Sequence, residues 1–239
     1  TDDERIEIHM SLGEIALATG QDDKALEHLE EAVVLQPNNP DAILNLVQLA
    51  KEHKNWTAVI RYQEEMISLK HNPVEQLALQ LEIGDVYREQ LQDLDGAVSA
   101  YEEALNIDPG SKAALGKLLQ IHLLKRSFTD AIQILQQLVD QAEDKAAKAN
   151  HAFMLALIFK DELNDLEQAA FYLNETLDAD HSRLEAFRTL DELLTSQHAW
   201  KEEERAYRRM IERIEGDGNT DLEFSLYRGL GEIYRTRLK

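Results

Sequence analysis

The sequence predicts an all-α fold, a solenoid of antiparallel helix pairs with about 13 helices, and three observations predict it. Gly (10) and Pro (4) are scarce in 239 residues, while the good helix formers Ala, Leu, Glu, Gln and Lys dominate, which disfavours the turn-rich β classes. The chain also repeats itself at an interval of 72 residues: Ala25, Ala97 and Ala169; Trp56, Phe128 and Trp200; Met66, Leu138 and Met210, each of these last followed by a β-branched residue (Ile67, Val139, Ile211). Pro37 and Pro109 keep the interval, with His181 in the third place. Finally, each 72-residue block splits into two similar halves, in which two apolar helical patterns flank a short polar turn.

The elements follow in order. Leu12-Gly13-Glu14-Ile15-Ala16 belongs to a first helix, Gly20-Gln21-Asp22-Asp23 turns the chain, and Ala25, Leu26, Leu29, Ala32 and Leu35 carry a second helix toward Pro37. Pro37 ends that helix and restricts the residue before it, and Asn38-Asn39-Pro40-Asp41 caps the next start. The third half repeats the scheme with Ile83-Gly84-Asp85-Val86-Tyr87, then Ala97, Tyr101, Ala104, Ile107 and Pro109, and with Asp108-Pro109-Gly110-Ser111 as the next cap. Gly13, Gly84, Ala25 and Ala97 are small enough for two helices to approach closely, while Leu29, Tyr87, Tyr101 and Phe159 fill the space between neighbours.

A 34-residue helix-turn-helix carrying Leu-Gly-x2-Tyr, then Ala-x3-aromatic-x2-Ala, then Pro resembles the tetratricopeptide repeat over essentially the whole chain. The resemblance implies a right-handed superhelix, a single array over 1–239 with repeats at 6–39, 40–73, 77–111, 112–145, 149–183 and 184–217. Residues 224–239, with Leu230-Gly231-Glu232-Ile233-Tyr234, read as the first helix of a truncated seventh repeat. Several places depart from the pattern. Val47 and Leu119 replace the usual Gly, so the even-numbered halves should pack less closely there. Extra residues precede the third repeat (Val74-Glu75-Gln76) and the fifth (Ala146-Ala147-Lys148), and one more sits near Asp93 and near Asp165; the first helices of these repeats should be about one turn longer. Repeat six holds Asp191 and Glu203 at positions that are usually small. Glu215-Gly216-Asp217-Gly218-Asn219-Thr220 reads as a flexible linker. The helix after it has more apolar positions (Phe224, Leu230, Ile233, Tyr234, Leu238) than one neighbour covers, so the parent chain is expected to continue, and the exposed face could drive self-association.

Composition bounds the chemistry. A net charge of -21 repels phosphate backbones and argues against nucleic acid; it fits either a solvated acidic surface or attraction of a basic partner segment. With no cysteine there is no disulfide, thiolate nucleophile or thiolate metal site, and cytosol and periplasm both stay open. No apolar run is long enough for a membrane span, and the start Thr1-Asp2-Asp3-Glu4-Arg5 is neither a signal peptide nor an initiator Met, so the chain reads as an excised fragment. The histidines at 9, 28, 53, 71, 122, 151, 181 and 198 never stand three or four apart, so no helix offers a His pair to a metal. His181 near Asp178 and Glu185, and His198 before Glu202, read as surface ion pairs. Asp217-Gly218-Asn219-Thr220-Asp221 fails as a calcium loop, because Leu222 and Arg228 stand where Gly and Glu are needed. No phosphate-binding or nucleophile-elbow motif occurs, and no catalytic constellation, cofactor site or metal site is expected. Trp56, Phe128 and Trp200 recur with the architecture and read as packing residues.

The family resemblance implies a concave groove lined by the first helices, at positions that map to Met10, Glu14, Leu17, Leu44, Gln48, Lys51, Leu81, Asp85, Arg88, Gln120, Leu123, Asn150, Phe153, Leu157, Lys160, Arg188 and Glu192. Some members clamp a C-terminal carboxylate with Lys and Asn; here only Asn45 fits, beside Met10, Glu14, Ala78 and Glu82, so an acidic chaperone tail is not expected. The apolar and acidic mixture suits a helical or extended partner segment with apolar anchors and some basic residues, unless Leu44, Leu81 and Phe153 only support neighbouring helices. The expected function is an interaction scaffold, a segment of a larger multi-repeat protein like the long bacterial arrays. The alternatives are a secretion-type chaperone or cargo adaptor, and the repeat region of an enzyme whose catalytic domain lies outside this chain.

Overall fold

The computed structural model describes residues 2–238, which form thirteen α-helices and no strand. They are α1 (Asp2–Ala18), α2 (Asp22–Leu35), α3 (Pro40–Glu52), α4 (Trp56–Leu69), α5 (Pro73–Asp85), α6 (Leu94–Ile107), α7 (Lys112–Leu124), α8 (Phe128–Asp140), α9 (Lys145–Leu157), α10 (Leu166–Ala179), α11 (Leu184–Ser196), α12 (Trp200–Arg213) and α13 (Thr220–Thr236). The chain divides at Ile121/His122, within α7, into two compact units. In the first, α1 packs on α2, α3 on α4 and α5 on α6, with α2 against α3 and α4 against α5. In the second, α8 meets α9, and α9–α10, α10–α11, α11–α12 and α12–α13 pack in turn.

One backbone device makes each hairpin. The residue just past each first helix lies in the left-handed region: Gly20, Lys54, Gln92, Arg126, Asn164 and His198, with φ between 52° and 68°. Around Gly20, Lys54, Arg126 and His198 the loop closes with a pair of bonds, as in Lys54 N–H to Lys51 O (3.1 Å) and Asn55 N–H to Ala50 O (2.8 Å), so the orphan carbonyls of the helix end are satisfied. The single extra residue in the third and fifth halves widens this loop. There α5 and α9 run on into five-residue π-helical turns, Val86–Gln90 and Ile158–Glu162, and the outer bond spans one more residue (Asp93 N–H to Tyr87 O, 2.9 Å; Asp165 N–H to Phe159 O, 2.8 Å). The continuous helical runs from Pro73 and Lys145 are therefore longer by that turn than the 13-residue α3, α7 and α11. Second helices start on side-chain caps at Asn55, Asp93 and Asp165, and first helices at Asn39, Asn72 and Asp144.

Gly13, Gly84 and the alanines of the pattern sit at helix crossings. A Cβ on Gly13 would meet the Leu29 side chain at 2.9 Å, and one on Gly84 would meet the Tyr101 ring at 2.2 Å. Ala25, Ala97 and Ala169 are fully buried. In the first unit Leu29, Ile43, Leu46, Val47, Val59, Met66 and Ile83 share one core, against which Trp56 packs while half-exposed. In the second unit Leu155, Leu173, Leu177 and Leu190 are fully buried. The linker is anchored rather than open: His181 Nε2 lies 3.0 Å from Asp217 of the loop, while Asp178 pairs with Arg213 (2.7 Å). Gly216 and Gly218 supply its positive φ angles.

Candidate protein-interaction surface

In the first unit the expected groove positions fall into two groups. Leu44, Gln48 and Lys51 stand on one side of α3, at spacings of four and three. Leu44 is 56% exposed although its neighbours Ile43 and Leu46 are core. Lys51 pairs with Glu82 (3.7 Å), which also accepts from the buried Gln63 (2.7 Å). The second group joins α5, its π-helical turn, α6 and α7. Asp85 accepts from both Tyr101 Oη and Lys117 Nζ at 2.6 Å, and Arg88, presented by the π-turn, donates to Gln120 (3.2 Å) and Glu89 (2.6 Å). Burial works against the Asp85 carboxylate, but its bonds from Lys117 and Tyr101 outweigh this and hold its pKa below the ordinary aspartate value. Burial, and then Asp85 itself, push the Tyr101 phenol up. Met10 and Leu17 turn inward against the core, Leu81 is half-buried, and Glu14 is exposed.

In the second unit Leu123 and Leu157 meet on a cavity of about 390 Å³, with Phe128 and Ile158 as further apolar lining and Arg126, Asp161 and Glu162 around them. Arg126 pairs with Glu162 and lies over the Phe128 ring at 5.5 Å. Lys160 pairs with Asp161 (3.1 Å). Phe153 is only 5% exposed; Arg183 covers its ring at 4.4 Å and bonds Asn150, so this position presents a guanidinium and an amide rather than an aromatic face. Arg188 borders a cavity of about 220 Å³ with Asp191, Tyr207, Leu222, Ser225 and Leu226, and Glu192 is exposed. On α13 Phe224 is 70% exposed and Tyr227 and Tyr234 are also outward, while a Cβ on Gly231 would touch nothing.

Other groupings could not be read from spacing along one helix. His9 of α1 and His28 of α2 bring their Nδ1 atoms to 3.3 Å, across the hairpin. A cavity of about 580 Å³ opens between α2, α3 and α4, lined by Leu26, Leu46, Leu49 and Tyr62 with Asp22, Glu30, His53 and Arg61; it contains none of the expected groove residues. Asp191 and Glu203 approach each other beneath Arg237. Burial, then the charge and hydrogen bond of Glu203, push the Asp191 pKa up to about 6. Burial and Asp191 likewise push the Tyr207 phenol up to about 12. Among the described residues no group of three or more His, Cys, Asp or Glu is placed to hold a metal ion, and no helix is long and apolar enough to cross a membrane.

Comparison with known proteins agrees with this geometry. Two tetratricopeptide-repeat family models match, over residues 6–49 and 90–152. A curated relative, the Drosophila melanogaster protein O-mannosyl-transferase Tmtc3, is 27% identical over 145 residues; the match takes in 60% of this chain but spans only 15% of that protein's length. Among solved structures, a TPR repeats protein from Bacteroides fragilis superposes with a TM-score of 0.56 at 15% identity, over 80% of this chain and 98% of that one. MamA gives 0.45 at 15% identity, over 77% and 96%. The paired helices continue along the chain the architecture of the two matched segments, and residues 6–49 and 90–152 are tetratricopeptide repeats.

Proposed function

We propose that the chain is a protein-interaction scaffold, and that the first-helix face of each unit docks a polypeptide segment with apolar anchors and basic residues. The observation that carries this reading is the cavity at Leu123 and Leu157. It is an open depression of about 390 Å³ with an aliphatic and aromatic floor, and Asp161 and Glu162 stand at its edge. An apolar anchor fits the floor; the two acids are already paired, Glu162 with Arg126 and Asp161 with Lys160, so the preference for a basic segment rests on the net charge of the chain. Leu44, exposed between core residues of α3, supplies a second apolar contact in the first unit, flanked by Gln48 and Lys51. The net charge of -21 favours a basic partner and disfavours nucleic acid.

A displayed random-peptide library panned on the protein tests this. Enriched sequences should combine aliphatic or aromatic residues with Lys or Arg, and a folded Leu44→Asp/Leu157→Asp variant should lose most of the enrichment. Equal enrichment on that variant, with an unchanged circular-dichroism spectrum, would sink the groove reading. These positions are better probes than Phe153, whose burial makes any polar substitution a folding defect. A second reading is that the repeats serve a longer chain with a catalytic domain elsewhere. It is favoured by the match to a segment of a much longer relative named as a transferase. The gene's complete reading frame decides between them.

A further inference from the structure

We infer that Asp191, Glu203 and Arg237 form a proton-operated latch that holds α13 against α12, tight in mild acid and loosened as the pH rises. Glu203 is 2% exposed, an unusual place for a carboxylate, and its partner is Arg237 at the end of α13. The same guanidinium lies 4.7 Å over the Trp200 ring and reaches Thr195 Oγ1 (3.3 Å), which itself donates to Glu203 (3.3 Å). Asp191 stands one turn before Thr195 on α11 and faces Glu203. Each of the two carboxyl groups keeps one buried oxygen with no hydrogen-bond partner, Oδ1 of Asp191 and Oε2 of Glu203. One cation faces two carboxyls, so ionising both leaves a buried negative charge uncompensated, and the pair retains a proton between them. Asp191 titrates near 6, raised by burial and by Glu203, so the charge change falls within an ordinary pH range.

Packing alone does not explain these residues. Both replace the small side chains expected at that helix crossing, in the same repeat and in contact with each other. α13 buries few apolar side chains: Leu226 and Ile233 are buried, Phe224 and Tyr227 stay outward, and Tyr234 is exposed but bonds Glu204 and Arg208 of α12. Tyr207 of α12 hydrogen-bonds Asp191, which opposes the rise in its pKa without cancelling it, and Arg188 of α11 and Ser225 of α13 border the cavity beside it. His198 tilts against Trp200 at 5.0 Å. On the α10 side, Glu202, Arg205 and Arg209 line a separate cavity around Leu190 and Leu194. Glu204 accepts from Tyr234 and Arg208, bonds that lower its pKa, so it stays ionised through the working range. Below about pH 6 the proton on Asp191 leaves a single charge on Glu203, matched by Arg237. Above it, a second charge appears with room for water in the cavity that Asp191 and α13 share, and α13 loosens. That cavity is walled by Leu222, Ser225 and Leu226, so the latch governs its shape whatever the groove binds.

The test uses Trp200 as reporter in a Trp56→Phe/His198→Asn background, which leaves one tryptophan and removes the imidazole beside it. Its emission should shift between two plateaus with a midpoint near pH 6, and Asp191→Asn should abolish the transition. Amide exchange compared at equal pH gives a second readout. At pH 7.5 the α13 amides of Asp191→Asn should exchange at least about tenfold more slowly than those of the parent, since each pKa unit is a factor of ten, and below about pH 4, under the pKa of a free aspartate, the two should agree. A transition that survives Asp191→Asn, or equal α13 exchange at pH 7.5, would overturn the latch.

Discussion

Ala199 precedes α12 with dihedrals close to those of Asn55 before α4, two 72-residue intervals earlier, yet it has no side chain to cap the helix. Asn55 accepts from the Ala58 N–H at 3.3 Å. Installing the same bond with Ala199→Asn should stabilise the second unit by about 1 kcal/mol, seen as a raised urea midpoint at unchanged slope. Lys54 carries a side chain in the left-handed region at φ 55°, where Gly20 serves the equivalent turn. Lys54→Gly relieves that crowding and costs some unfolded-state entropy, for a net gain of roughly 0.5 kcal/mol by thermal melting. Asp191 is the residue whose pH response has the opposite sign to an ordinary paired carboxylate. Its pKa is higher in the fold than in the open chain, so its contribution is complete below the unfolded value and is lost as the pH passes about 6. Asp85 is lowered instead, so its contribution holds at neutral pH and is lost in acid. Asp191→Asn should therefore raise the melting temperature at pH 7.5 and leave it nearly unchanged below about pH 4; a gain of equal size at both pH values would contradict the assignment.

At the scale of elements, the same glycine in the same motif has two environments. Gly84 crosses Tyr101 so closely that a methyl group would lie 2.2 Å from a ring carbon, with the ring pinned by its bond to Asp85. Gly231, at the matching place in α13, has nothing within 4 Å. Gly84→Ala should cost about 1–3 kcal/mol through overpacking, whereas Gly231→Ala should stabilise by about 0.5–1 kcal/mol through helix propensity. Urea denaturation of the two variants checks the contrast, and destabilisation by Gly231→Ala would show that α13 has a close neighbour at that point. The π-helical turns also belong to this scale. One inserted residue is absorbed as a wider loop at Val86–Gln90 and at Ile158–Glu162, leaving the following helices α6 and α10 in register with their partners. The insertion is legible in the sequence, but its form is not, because a longer loop and a π-turn accommodate the same extra residue and only the hydrogen bonds tell them apart.

For the whole molecule, 46 acidic against 25 basic side chains make self-repulsion the dominant long-range term. Raising the salt from about 10 mM to about 150 mM shortens the screening length from roughly 30 Å to roughly 8 Å. Thermal stability should rise by several degrees, because repulsion among many charges is screened while exposed pairs such as Arg61–Glu30 contribute little either way. A fall in melting temperature over that range would mean that the ion pairs outweigh the repulsion. The groove residues show how far a pattern reaches. Leu44, Gln48 and Lys51 share a face because helical spacing puts them there, but Phe153 at an equivalent place is covered by Arg183, thirty positions away along the chain.

Helix positions, hairpin turns and tight crossings were determined by the sequence itself, since apolar periodicity, the 72-residue interval and small residues such as Gly84 and Ala97 act over one or two neighbouring helices. Tertiary structure alone decided which polar groups meet: Lys117 with Asp85, His9 with His28, and Arg237 with a buried carboxyl pair. The reason is physical. A helix follows from its own residues, whereas the charge state of Asp191 depends on the burial and the charges brought to it by α12 and α13.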